Sequence, residues 1–566
     1  MKKLIAFLLV LVMVLSMVAC TAKTEDPTSE AIPPAETPET PTAADDIQTP
    51  PAEEEKILNL QWHQGIGIDT VFENPWKDMQ CLIPYMLFDS LLVQNSDESY
   101  TNKIASDYTV SADGLSYTFT IRDDIKWHDG TALTADDVVW SLNACVGMAS
   151  PYAKPLANVE GYADVMAGTA TEMSGITTDG NVVTLKLAKP ARGLLYGLCV
   201  IKILPKHLLG NVAYADLTTY EPFWSNPVGC GPYVLEEVSF PDYAVLTANP
   251  DYYDAAPGIP KCLFTNYSAG GSDAVVAALI AGDLDFAWKN ALNDIEVANN
   301  VTAQNSDLIT VMSTSFYCRY FQFVNAEREA RECNPDLAKP EVRQAFDLIL
   351  NKEAIASFYS GQGVALSTFV NPTSPKYNDD IPLPKQDIDT AITMLNEAGY
   401  DFSKELVIAY YYDDQTTTDI MAMIKQDFAT AGITVVPKLL TGDLQGQLAA
   451  MDFDISYAGV SGVVDPISIY DKLVSKNSAN LGLVEERAAI IDPAYDAYEA
   501  TIDDASAKEA GDVLQALGYQ NAWILPAYGL NTVQIYNANK LTIPSTMLEL
   551  DNETGRNWMF ESWVLN

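Results

Sequence analysis

Arg319 is the residue in this sequence with the most chemistry to account for. It stands alone in the run 316–325, FYCRYFQFVN, whose alternation of aromatic, apolar and small polar residues reads as a strand. A guanidinium carried into such a strand is costly to bury unless a carboxylate meets it. The partner is either an acid brought by a bound molecule or an Asp of the fold. Either way the chemistry is ion pairing, which holds a molecule without breaking bonds. Patterns that would break bonds are missing. There is no G-x-S-x-G elbow, since Gly459-Val460-Ser461-Gly462 has the wrong spacing. There is no H-E-x-x-H, no phosphate-binding loop and no G-x-G-x-x-G, and Gly65-Ile66-Gly67 reads as a simple turn. His63, His128 and His207 are the only histidines, so few bases titrate near neutrality. With 76 acidic residues, the nearness of two carboxylates carries little information. Eight cysteines occur without C-x-x-C spacing, which argues against structural zinc. The expectation is a binding protein with no catalytic residue, no cofactor and no metal site.

The elements that must position Arg319 alternate between strand and helix. Residues 58–62 read as a buried strand, and 116–121 as a half-buried strand bounded by Asp113-Gly114. Residues 123–130 are turn-rich, with a turn at Asp129-Gly130. Thr134 then caps a helix whose first turn carries Asp136 and Asp137. Further on come a helix over 389–398 stopped by Gly399, a strand over 406–412, a helix over 419–431 and a strand over 433–437. Such alternation predicts an α/β class with ligand crevices at strand ends. The folded part, of about 510 residues, is too long for one hydrophobic core and divides into lobes. Hydrophobic residues make up 48% and aromatic residues 10%, which is globular composition. A formal net charge of -43 repels a phosphate backbone and excludes nucleic-acid partners.

The first residues are Met1, Lys2 and Lys3, then an apolar stretch to Val18, then Ala19-Cys20. That is an export signal over 1–19, and the stretch falls short of the roughly 20 residues of a membrane span. The small residue before Cys20 resembles the lipobox of bacterial lipoproteins, with Met17 where leucine is commoner. The resemblance implies lipidation of Cys20. Residues 20–55 are rich in Thr, Pro, Ala, Glu and Asp, and read as a disordered acidic stalk between a lipid anchor and the folded body.

Several ordered segments resemble the family 5 extracellular solute-binding proteins of ABC importers, which bind oligopeptides, dipeptides or nickel. The longest is LSYTFTIRDDIKWHDGTALTADDVVWSL at 115–142. LFDSLL (87–92), PVGCGPYVLEEV (227–238), ANPDYYDAAP (248–257), ALIAGDLDFAW (278–288), PEVRQAFDLILNKEAI (340–355) and DIDTAITMLNEAGYD (387–401) follow the same order. Physically, Gly229, Gly231 and Pro232 give a tight path into a strand, and Arg343 falls on a solvated or paired helix face. The resemblance implies a two-lobed periplasmic-binding-protein-like fold of class II, large cluster. A discontinuous lobe I would comprise 56–95, 218–307 and 531–566, a small inserted domain 96–217, and lobe II 308–530.

It also implies a solute, most simply a peptide, paired through its main chain with a strand edge and through its charged ends with ion-pair partners. The implied contacts are Arg319 and Tyr320 in the first segment, and Tyr457, Gly459, Ser461 and Asp465 in DISYAGVSGVVDP (454–466). Gln80 and Leu82 ahead of LFDSLL, and Tyr411, complete the set. The chain departs from the peptide-binder pattern, which has tryptophan after the glycine and an aspartate further on. Here Val460 and Val463-Val464 stand instead, leaving Asp465 either as the substitute for the ammonium anchor or as part of the turn before Pro466. The implied partners are a small solute, the permease subunits of an ABC importer and a lipid anchor on the outer face of the cytoplasmic membrane, with the protein acting as a monomer. Other solutes on the same fold are nickel chelates, oligosaccharides and signal peptides. From another class, the rival is an exported peptide hydrolase.

Overall fold

The computed structural model describes residues 56–62, 82–239, 241–288, 294–460, 466–475, 482–551 and 556–566. Cys20, Gln80, Ser461 and Asp465, with the signal and stalk, lie outside these residues.

Two large mixed sheets dominate. The first contains β1 (Ile57–Gln61), β8 (Tyr233–Ser239), β9 (Tyr243–Ala248), β10 (Lys261–Thr265), β11 (Phe286–Ala287), β12 (Leu308–Ser315), β19 (Thr532–Asn537) and β21 (Leu550–Asp551). Its spatial order is β21-β12-β19-β11-β1-β10-β9-β8. β1 runs parallel to β10, with Ile57 opposite Lys261 and Gln61 opposite Thr265. The second sheet has β13 (Cys318–Phe323), β14 (Gly363–Ala365), β15 (Leu406–Tyr410), β16 (Val435–Leu439), β17 (Ile455–Val460) and β18 (Ile524–Leu530), ordered β14-β18-β13-β17-β15-β16. A four-stranded sheet of β4 (Ala105–Val110), β5 (Ser116–Ile121), β6 (Ile176–Asp179) and β7 (Val182–Lys186) lies within the inserted segment. Small pairs complete the set: β2 (Leu92–Gln94) with β3 (Tyr100–Asn102), and β20 (Leu541–Thr542) with β22 (Val564–Leu565).

Each large sheet has its own core, which is what makes two lobes. On one face of the second sheet, Phe321, Tyr457 and Tyr528 pack under Phe346, Leu395, Ile424 and Phe428 of the covering helices. On its other face, Tyr320 and Ile524 pack against Tyr470, Ile491 and Leu514. The inserted segment is not cored apart from the first sheet. Phe119, Trp127 and Leu142 share one cluster with Phe88, Leu246 and Phe264.

The change of sheet occurs at two crossings. β12 pairs with β19 from Leu308 to Ser313, so it belongs to the first sheet, and the passage to the second falls at Phe316-Tyr317 rather than at residue 308. The return is at Asn531, between β18 and β19. Ser315 ties the crossings together by donating to Leu530 O at 2.6 Å and accepting from Tyr317 N at 3.2 Å.

Local signals explain much of this. Asp137 accepts from both the backbone N–H of Thr134 at 2.8 Å and its hydroxyl at 3.0 Å, closing the first turn of the helix Ala135–Gly147. Gly229 must be glycine for space: a Cβ there would sit 1.7 Å from Leu87 O. Arg343 takes the second of the two alternatives expected for it, a partnered rather than a solvated face. It is 1% exposed and donates to the carbonyls of Leu337 at 2.7 Å and Asn521 at 2.7 and 3.1 Å, so it ties the short helical turn Pro335–Ala338 to the end of the helix Asp504–Asn521 rather than facing solvent.

Candidate functional site

Arg319 lies two residues past the first crossing, opposite Gly459 of β17 and Tyr528 of β18. β17 runs parallel to β15 and antiparallel to β13, so Arg319 sits at the carboxyl ends of β15 and β17, where α/β sheets place ligands. Strand alternation sends its side chain to the face of Phe321 and Phe323, away from Tyr320.

The guanidinium is surrounded by rings. Its central carbon lies 3.1 Å from the Tyr412 ring centroid, 5.1 Å from Tyr317 and 5.8 Å from Tyr457. Behind them runs a chain of phenol hydroxyls: Tyr457 to Tyr528 at 2.6 Å, and Tyr528 to Tyr359 at 2.8 Å. Tyr412 donates to the Tyr411 hydroxyl at 3.0 Å, and their rings stand 4.3 Å apart.

Arg319 is 9% exposed, and its Nε and Nη1 are buried with no hydrogen-bond partner among the described residues. Phenolates do not supply the missing charge. Burial pushes the phenols of Tyr317, Tyr457 and Tyr528 upward, outweighing the opposite pull of Arg319 on each. No acid among the described residues pairs with Arg319. The nearby Asp414 is spent on the helix Gln415–Thr430, accepting from Thr417 N at 2.7 Å and Thr417 Oγ1 at 2.8 Å. Of the two partners open to Arg319 in the sequence, an Asp of the fold is therefore not found among the described residues. A buried guanidinium cradled by π faces, unpaired among the described residues, has the chemistry to receive an anion.

The adjoining strand offers main-chain groups as well. β15 pairs with β17 only at Ile408 with Ile455 and at Ala409 with Ser456. Beyond that point, residues 457–460 have no strand paired on the β15 side among the described residues.

The sequence-derived candidates divide accordingly. Arg319, Tyr411, Tyr457 and Gly459 come together. Tyr457 is fully buried, so it forms the floor of the cluster. Tyr320 lies on the other face of β13, edge-on to Phe369 at 5.9 Å. Leu82, 3% exposed, packs in the core of the first lobe just before the helix Ile83–Leu87. Tyr317, Tyr359 and Tyr528 were missed. Tyr317 abuts the Cys318-Arg319 pair in sequence, whereas nothing local marks Tyr359 or Tyr528.

Away from this cluster, the inserted segment touches the second lobe through Lys154 with Asp471 and Arg192 with Asp504, both at 2.5 Å. Glu98 also meets Ser374 at 2.7 Å and Lys376 at 2.8 Å.

A family model described as bacterial extracellular solute-binding proteins, family 5 middle, matches residues 99–480. A Brucella ovis protein bearing the name ABC transporter peptide-binding protein is 27% identical over 479 residues, spanning 80% of this chain and 83% of that one. Among solved structures, the ABC transporter substrate-binding protein CtaP from Listeria monocytogenes is similar with a TM-score of 0.72 at 20% identity, covering 90% of this chain and 99% of that one. AppA of Bacillus subtilis, an oligopeptide-binding protein solved with a nonapeptide, is similar with a TM-score of 0.63 at 21% identity, covering 90% and 99%. At these identities the two structures speak to the fold.

Proposed function

This chain belongs to the bacterial extracellular solute-binding proteins of family 5, and from that premise we propose that it captures a peptide between its two lobes and delivers it to the permease of an ABC importer. The observation that carries the peptide reading is Arg319, a buried guanidinium with two nitrogens unpartnered among the described residues, beside a strand segment that no described strand pairs on its β15 side. An extended peptide supplies both halves of what is missing, a carboxylate for Arg319 and main-chain groups for residues 457–460. The names of the Brucella ovis relative and of AppA support the same class of solute.

The mechanism is conformational. Two crossings joining separately cored lobes form a hinge, and a solute that touches both lobes favours the closed form because only that form makes both sets of contacts. Arg319 strengthens the coupling, since sealing an unpaired guanidinium from water is unfavourable until an anion accompanies it. The solute leaves as it entered; no residue of the cluster acts on a bond. Cys20 carries the lipid that keeps the protein at the outer face of the membrane, where it works as a monomer.

The test is a thermal-shift and mass-spectrometric comparison of short peptides with free carboxyl ends, the same peptides amidated, nickel-histidine chelate and oligosaccharides. A solute that binds only the native state raises the melting point. The proposal expects the free-acid peptides to give the largest shift and to be recovered intact. A larger shift with chelate or sugar, or recovery of cleaved peptide, rules it out.

A further inference from the structure

Gly459 faces Arg319 directly across the β13–β17 pair. Side chains of directly opposed residues share one face of a sheet, with their Cβ atoms about 5 Å apart. Any side chain at 459 would therefore project beside the Arg319 guanidinium. The reason for glycine here is space rather than conformation, because Gly459 lies within β17 and is not among the glycines of positive φ. A Cβ built at 459 would stand 2.6 Å from the Tyr317 hydroxyl and 2.8 Å from the Tyr412 hydroxyl, with the Tyr317 ring carbon next at 3.1 Å. Those are the two rings that lie closest to the guanidinium.

We propose that Gly459 is a positioning residue: the space left by its missing side chain admits the hydroxyl ends of Tyr317 and Tyr412, and these two rings hold the Arg319 guanidinium in the orientation in which its edge meets an anionic group. The inference rests on the proposed anion-receptor reading of Arg319, and it adds to the proposed main-chain role of Gly459 the support of the residue that meets the anion. Tyr317 comes from the crossing and Tyr412 from the loop after β15, so two separate chain segments converge on one gap in β17. Filling that gap with a single methyl must push one or both rings aside. It alters no charge, removes no donor and keeps the strand hydrogen bonds. The damage falls on the guanidinium's orientation.

The experiment compares the full-length protein with Gly459→Ala and with the triple variant Gly459→Ala, Tyr317→Phe, Tyr412→Phe, which deletes the two hydroxyls that the methyl meets. One readout needs no solute: the rate at which phenylglyoxal modifies Arg319, followed by peptide mass mapping. The expected result is a severalfold faster modification in Gly459→Ala, returning toward the parental rate in the triple variant. A rate unchanged by Gly459→Ala overturns the inference. A raised rate that the triple variant leaves raised also overturns it, since general loosening of the strand would not respond to two hydroxyls. The second readout is affinity for a pool of free-acid pentapeptides, expected to fall roughly tenfold in Gly459→Ala, equivalent to about 1.4 kcal/mol, and to recover in the triple variant. If the parent binds no peptide while the Arg319 rates behave as expected, the peptide reading fails and the positioning role stands.

Discussion

Replacing Arg319 with methionine separates binding from folding. The substitution keeps most of the aliphatic stem and removes the guanidinium. In the solute-free protein, the charge loses hydration and gains ring contacts, chiefly with Tyr412 at 3.1 Å. Such contacts contribute about 0.5 to 2 kcal/mol, while an unpaired buried ion costs several kcal/mol, roughly, even after relaxation. The two nearly offset one another or favour the variant, so Arg319→Met should keep a thermal midpoint within about 3 °C of the parent or above it. With an anionic solute bound the balance reverses. Truncating one partner of a buried, hydrogen-bonded charge pair costs about 2 to 5 kcal/mol, which is roughly 30-fold to several thousand-fold in affinity. The assay is calorimetry with a free-acid peptide and its amide, against parent and variant. Amidation should cost the parent most of its affinity and cost the variant little, because the group that senses the carboxylate is gone. An equal amidation penalty in both proteins would refute the reasoning, as would a variant that unfolds well below the parent.

Three further outcomes follow from the geometry. Asp454, 1% exposed, accepts from Arg331 Nε and the Val407 N–H, both at 2.9 Å, and pairs with Arg328 at 3.3 Å. Asp454→Asn leaves the buried Arg328 side chain and the partly exposed Arg331 short of charge and should cost about 3 to 5 kcal/mol in urea unfolding; a loss under about 1 kcal/mol would be inconsistent with the network. His128 accepts from Gly229 N at 3.2 Å through Nδ1 and donates to Gly231 O at 3.0 Å through Nε2, a pattern that suits only the neutral ring. Desolvation holds its pKa below the usual histidine value. Its contribution to stability is therefore full above about pH 6.5 and is lost as pH falls from there through the depressed folded pKa. Urea midpoints between neutrality and mild acid should fall in the parent and fall less in His128→Gln, whose amide can replace one donor and one acceptor; identical slopes would exclude His128 as the source. Cys20→Ser should move the exported protein from the membrane to the soluble fraction, read by fractionation of the producing bacterium, and persistence at the membrane would count against the lipid anchor.

Local patterning carried the elements well. The strand expected over 116–121 is β5 with the same ends, and Thr134 does begin a helix whose Asp137 closes the first turn. The helix expected over 419–431 begins earlier, at Gln415, because Asp414 rather than Asp419 caps it. For Arg343 helix periodicity left a solvated or a paired face open, because it reports which face a residue occupies but not that the carbonyls of Leu337 and Asn521, from two other helical segments, converge there. At the site, Arg319 was legible from its own segment, since an arginine in an aromatic strand raises the question of a partner. Its ring cage was only partly so. Tyr411, Tyr412 and Tyr457 fall in segments already singled out, but Tyr359 and Tyr528 reach the cluster by sheet pairing between strands far apart in the chain. The place of β12 in the first sheet was equally hidden, because its partner β19 lies more than two hundred residues away.

The most direct test is a structure of the protein crystallised with a free-acid peptide pool. The account predicts one intact peptide lying between the two sheets. Its carboxylate should stand about 2.7 to 2.9 Å from the Arg319 nitrogens, with its backbone paired to residues 457–460. An intact peptide whose carboxylate lies elsewhere while Arg319 stays unpartnered, or electron density for a cleaved product, would contradict it.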